Sequence, residues 1–129
     1  MSKILIIEDS VLLLDLITEL LTINDFWAVT AITYEEGYDL LQVEEPDLIL
    51  CNYPAINFPR LNVFSKICSE VARQNIPLLF MFPYQPVSIK EFPIFQEQQD
   101  FLVKPFSSII LIEKIQALLK MPPRLKINF

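Results

Sequence analysis

The sequence predicts an α/β domain built on a parallel sheet. Short apolar runs alternate with stretches of helical periodicity along the whole chain, the pattern of repeated βα units. One of those runs, Leu48 to Cys51, is apolar at every position, as a strand covered on both faces requires. Three of the runs end on polar side chains, and the C-terminal ends of strands are where ligands gather in open parallel sheets.

The first run, Lys3 to Ile7, is rich in β-branched residues and ends in Glu8 and Asp9. A helix follows from Ser10, with Leu13, Ile17, Leu20 and Leu21 expected to face inward. Asp9 or Ser10 can cap its start. Trp27 to Ile32 is the second strand, and Tyr34 to Gln42 a short helix carrying Leu40 and Leu41. The third strand, Asp47 to Cys51, leads directly to Asn52. Val63, Ile67 and Val71 mark the third helix, and Pro77 to Phe82 the fourth strand. Between Pro83 and Gln99 three prolines, Pro83, Pro86 and Pro93, break helical continuity, so the fourth helix is expected to be short or irregular. Asp100 to Val103 is the fifth strand and delivers Lys104. Ser107 to Lys120 is the last helix, with Ile112, Ile115 and Leu119 on one side. Pro122 and Pro123 stop it, which divides the chain into a domain over 1–120 and a tail over 121–129. Leu125, Ile127 and Phe129 alternate like a small strand, suited to packing on the domain or on a partner.

Composition excludes several functions. The chain has 129 residues, 53% of them apolar, which suits one domain with a sizeable core. A net charge of −6 argues against nucleic-acid binding, and the basic residues are scattered apart from a weak cluster at Lys120, Arg124 and Lys126. No apolar run reaches the ~20 residues of a membrane span, and no signal peptide is visible, so a cytoplasmic protein is expected. Histidine is absent, which removes Ser-His and Cys-His nucleophiles and His-ligated zinc. Gly37 is the only glycine, so glycine-rich phosphate loops are excluded. Cys51 and Cys68 read as reduced core thiols without C-x-x-C spacing.

An acidic pair, a polar residue and a lysine on three strand tips form a pocket suited to a cation and a phosphoryl group. The segments KILIIEDS, PDLILCN, IPLLFMF and FLVKPF, in that order, give the chain its resemblance to the receiver domain of two-component response regulators over nearly its whole length. The resemblance implies a flavodoxin-like (βα)5 sandwich whose five-stranded sheet has order 2-1-3-4-5. It assigns Glu8 and Asp9 to the Mg²⁺-binding acidic pair, and Lys104 to the lysine that pairs with the phosphoryl group. Pro105 matches a proline preceded by a cis bond, which would hold Lys104 in a tight turn facing the pocket. Phe101 matches the aromatic switch position.

Other positions depart from the family. Asn52 stands at the phosphoacceptor aspartate, and Phe82 replaces the switch Ser or Thr. Ile56 and Arg60 replace a proline and a glycine, and Pro83 a small residue. An amide oxygen carries no full charge and is a poor nucleophile, and it is a weaker Mg²⁺ ligand than a carboxylate. The expectation is a pseudo-receiver: a non-enzymatic signalling module that works by protein contact, without phosphorylation. It needs no cofactor, with weak Mg²⁺ binding at Glu8 and Asp9 the one exception.

The resemblance implies a working face formed by the fourth helix, fifth strand and last helix, between Tyr84 and Lys120, for a protein partner or a second copy. The proline- and aromatic-rich stretch from Tyr84 to Phe95, including Ile94, suits such contacts. Lys104 is expected to pair with Asp9 or Glu8, and Asn52 to bond Lys104 and nearby backbone. Phe80, Phe82, Phe92 and Phe95 read as core rather than as a cofactor box. Two rivals remain. One is a phosphorylatable regulator with another acceptor, for which Asp9 is the only candidate. The other is a small-ligand binder or enzyme using Lys104, Asp9 and Glu8.

Overall fold

Five strands and four helices follow one another in a computed structural model that describes residues 1–54, 61–83 and 99–120. They are β1 (Lys3–Ile7), α1 (Val11–Ile23), β2 (Trp27–Ala31), α2 (Tyr34–Glu44), β3 (Leu48–Asn52), α3 (Leu61–Gln74), β4 (Leu78–Phe82), β5 (Gln99–Val103) and α4 (Ser108–Lys120). All neighbouring strands are parallel, in the order β2-β1-β3-β4-β5. This is the flavodoxin-like topology expected from the sequence. The expected fourth helix, together with Ile56, Arg60, Ile94, Phe92, Phe95 and the tail, lies outside the described residues.

Strand alternation sorts the core into two layers. Ile4, Ile6, Leu48, Leu50, Leu79 and Met81 face α1 and α4, meeting Leu14, Ile17, Leu21, Leu111, Ile115 and Leu118. Leu5, Ile7, Ile49, Cys51, Phe80 and Phe82 face α2 and α3, meeting Tyr34, Leu41, Phe64, Ile67 and Val71. β4 is therefore apolar at every position, and β3 at every position before its terminal Asn52, because both faces are covered.

Two helix faces differ from expectation. In α1 the buried residues are Leu14, Ile17 and Leu21, while Leu13 and Leu20 are half-buried at the flanks. In α4 they are Leu111, Ile115 and Leu118, with Ile112 and Leu119 at the flank. Both helices are apolar nearly all round, so periodicity alone leaves the inward direction open by one position. Asn52 is the last residue of β3 rather than the residue after it.

Helix starts are fixed by hydroxyls. Ser10 Oγ accepts from the Leu13 amide, Thr33 Oγ1 from Glu36 and Ser107 Oγ from Ile110. Gly37 explains how α2 sits against the sheet. A Cβ there would lie 2.4 Å from Cδ1 of the buried Ile7, so the missing side chain sets the approach of α2 to β1.

Candidate functional site

The C-terminal ends of β1, β3 and β5 converge, and the side chains the sequence singled out meet there. Glu8, just past β1, is buried at 1% exposure. Its Oε1 accepts from Lys104 Nζ at 2.5 Å, and its Oε2 from the Ser10 amide at 2.8 Å. Lys104 Nζ also donates to Asn52 Oδ1 at 3.0 Å. Asn52 Nδ2 donates in turn to Asp9 Oδ1 at 3.5 Å. The backbone holds the lysine in place, because its amide donates to the Phe82 carbonyl at 2.9 Å and the Lys104–Pro105 bond is cis.

The ion pair therefore forms with Glu8, the buried member of the acidic pair. Burial pushes the Glu8 carboxyl above its ordinary range, and a hydrogen bond with Asp9 adds to this; the Lys104 ammonium pulls the other way. Asn52 bonds the Asp9 side chain in addition to Lys104, where backbone partners were expected for its side chain. Its two ends suit those neighbours: the oxygen faces a cation and the nitrogen a carboxylate. An aspartate could not repeat this, because it has no N–H to give Asp9.

The donor set does not fit a strong Mg²⁺ site. Both Glu8 oxygens and the Asn52 oxygen are already engaged by N–H groups, which leaves Asp9 as the main carboxylate donor. Among the described residues no group of three or more His, Cys, Asp or Glu side chains could hold a metal.

Sequence reading missed Tyr34 and Tyr53. The Tyr34 hydroxyl donates to the Asn52 carbonyl at 2.7 Å, and burial raises its pKa foremost. Its position just beyond β2 puts it on the same edge of the sheet as the other strand tips, a signal that was available. Tyr53 directly follows Asn52. Both line a cavity of about 490 Å³ with Ile7, Asp9, Asn52 and Lys104 among its walls.

Phe82 is buried at 2% and joins an aromatic chain. Tyr53 lies 4.6 Å from it and Phe101 5.5 Å, the latter edge-on. Phe80 is core as expected, 5.4 Å from Tyr53. Phe101 is half-buried, and Lys114 Nζ lies 5.4 Å from its ring centre while also pairing with Asp100 at 3.0 Å. The two thiols suit a core role. Cys51 is fully buried, and burial pushes Cys68 up to about 11.

Solved structures share this fold. The receiver domain of Francisella response regulator 1452 aligns with a TM-score of 0.74 at 18% identity, covering 93% of this chain and 98% of that one. A CheY-like response regulator receiver domain from Methanospirillum hungatei JF-1 gives 0.75 at 22%, covering 92% and 94%. In sequence, RcaC of Microchaete diplosiphon is 30% identical over 120 residues, 92% of this chain but 18% of that protein. The probable transcriptional regulator ycf27 of Cyanophora paradoxa is 26% identical over 119 residues, 92% of this chain and 48% of that one. The uncharacterized transcriptional regulatory protein YcbL of Bacillus subtilis (strain 168) is 30% identical over 118 residues, 90% and 50%. The chain thus spans about half or less of the length of the curated relatives it matches. No protein-family model matches it. Taken with the fold, these relatives support a response regulator receiver domain of two-component signalling as the class of the chain. Among the described residues no helix is long and apolar enough to cross a membrane.

Proposed function

We propose that this domain signals by protein contact and without phosphorylation. The observation that carries the reading is the Asn52 side chain, which links Lys104 to Asp9 at the position of the receiver phosphoacceptor. A phosphoryl group would need a nucleophilic carboxylate there and a free lysine to meet it. The amide is a poor nucleophile, and the lysine is spent on Glu8 and Asn52. Phe82 supports the same reading from the output side. Its buried ring fills the place of a hydroxyl and packs against Phe101, so the aromatic position has no hydroxyl to follow.

The contact surface is the face around β5 and α4, with Phe101, Asp100 and Lys114 on it; the expected part of that face before residue 99 lies outside the described residues. Partners there are proteins, a second copy included. A net charge of −6 disfavours nucleic acid. The domain is not an enzyme on this reading, and its Mg²⁺ affinity is weak. It works in the cytoplasm.

The test is direct. The protein is incubated with acetyl phosphate and Mg²⁺, and intact mass is recorded. Unchanged mass is expected. A stoichiometric, base-labile phosphoryl adduct would overturn the proposal and favour Asp9 as acceptor. The cavity favours a second reading, a small-ligand binder, and native mass spectrometry of the protein as purified decides it through any co-purifying adduct.

A further inference from the structure

Helix α1 is apolar on the side that faces water. Its buried residues, Leu14, Ile17 and Leu21, lie on one side of the helix. At 3.6 residues per turn the diametrically opposite ridge carries Leu12, Leu16, Glu19 and Ile23. Leu12 is 73% exposed, Leu16 56% and Ile23 71%. A surface helix of an ordinary domain keeps that ridge polar. Helix α3 does so here, burying Phe64, Ile67 and Val71 and exposing Asn62, Ser65, Lys66 and Ser69. The outer ridge of α1 therefore has the composition of a covered surface.

The carboxylates beside it restrict what can cover it. Asp15 and Glu19 are both exposed along this side of α1. A second copy meeting it ridge to ridge would set acid against acid. An occupant needs apolar side chains interleaved with basic ones.

We propose that the occupant is the chain's own tail, residues 121–129, laid along the outer ridge of α1. Its sequence, MPPRLKINF, alternates Arg124 and Lys126 with Leu125, Ile127 and Phe129 and contains no acid. It leaves the fold at the right end. Each helix follows a strand of the parallel sheet and runs back along it, so α4, which ends at Lys120, finishes at the same end of the sheet as α1, and Leu118 and Leu21 in their last turns belong to one core layer. Its reach is sufficient: the segment extended spans up to about 30 Å, while the 13 residues of α1 rise about 20 Å. Leu125, Ile127 and Phe129 cover the apolar ridge, and Arg124 and Lys126 meet Asp15 and Glu19. Attachment to the same chain keeps the local concentration high, in the millimolar range for a short linker. Any partner of the α1 face then has to displace the tail.

Engineered thiols on the full chain test this. Leu16→Cys is combined with Ile127→Cys, and the control pairs Ser65→Cys on the outer side of α3 with the same tail substitution. Leu16 and Ser65 are exposed, so neither change disturbs the core. The native thiols react slowly, since burial raises both. Under mild oxidation the α1 pair is expected to form an intramolecular disulfide several-fold more than the control, seen as a faster-migrating monomer. Arg124→Glu with Lys126→Glu should cut that yield several-fold. Equal yields in the two pairs would overturn the proposal. So would a disulfide-linked dimer whose yield scales with protein concentration, which would place the tail on a second copy.

Discussion

Replacing Lys104 with methionine tests whether the strand tips are held by a buried charge pair. The Glu8 side chain is fully buried and that of Lys104 23% exposed, with 2.5 Å between Oε1 and Nζ. Removing one partner of a buried pair strands the other charge, at a cost of about 3–5 kcal/mol. Lys104 keeps some contact with water, so Lys104→Met should fall near the lower end, about 3 kcal/mol at pH 7.

The pH dependence separates this from simple loss of packing. Burial holds the Glu8 carboxyl above its ordinary value of 4.5 in the folded protein, and Lys104 opposes that rise. A raised carboxyl means that the folded state binds a proton more readily than the unfolded chain. Its contribution to stability therefore grows as pH falls through the window between the folded value and 4.5, and is lost as pH rises through it. Without Lys104 the window extends upward, so the penalty of Lys104→Met should shrink between pH 7 and pH 5 as Glu8 takes up a proton. Adding Glu8→Gln to Lys104→Met removes the stranded charge and should recover much of the loss at pH 7. Urea unfolding followed by circular dichroism reads all three proteins. A loss independent of pH, or a double variant no more stable than Lys104→Met, would refute the argument.

Two further outcomes are expected. Asn52→Asp should bind Mg²⁺ more tightly than the native protein, because a third carboxylate joins Glu8 and Asp9 and no amide links Asp9 to Lys104; isothermal calorimetry reads the difference, and equal affinities would count against Asn52 as the residue that weakens the site. Gly37→Ala should destabilise the domain by about 1 kcal/mol, the overpacking cost against Ile7 of about 1–3 kcal/mol less the helix-propensity gain of about 1, and Ile7→Val should relieve part of it; thermal unfolding that shows strictly additive effects would separate the two sites.

The fold was legible because its signals are local. A strand buried on both faces writes an unbroken apolar run, and a strand tip writes a sudden change to polarity. Leu48 to Asn52 does both, so β3 and its functional end could be read together. Glu8, Asn52 and Lys104 were each found as tips, and the sheet then brought them together. The detail of pairing was not legible. Glu8 and Asp9 are adjacent in sequence, and only the burial of one of them decides which carboxylate needs the lysine. Helix faces were legible in α3, whose apolar residues keep to one side, and not in α1 or α4, whose apolar residues do not. Tyr34 escaped notice because it begins a helix, where an apolar side chain reads as core. Its ring does pack in the core, and only its hydroxyl belongs to the site.

The charge balance of the tips gives Asn52 a positive role beyond the loss of a nucleophile. Two carboxylates, Glu8 and Asp9, face one ammonium, Lys104. An aspartate at the end of β3 would add a third acid, and such a cluster is stable only if a metal ion or proton offsets it. An amide removes that need. It accepts from the lysine and donates to the remaining acid, so the three strand ends are tied by a network complete within the protein. Phe82 acts in the same direction from below the tip, because a ring packed between Tyr53 and Phe101 resists the displacement a small hydroxyl side chain would permit. On the reading proposed above, strand ends tied in this way let the domain inform its partners by its surface rather than by a phosphoryl switch.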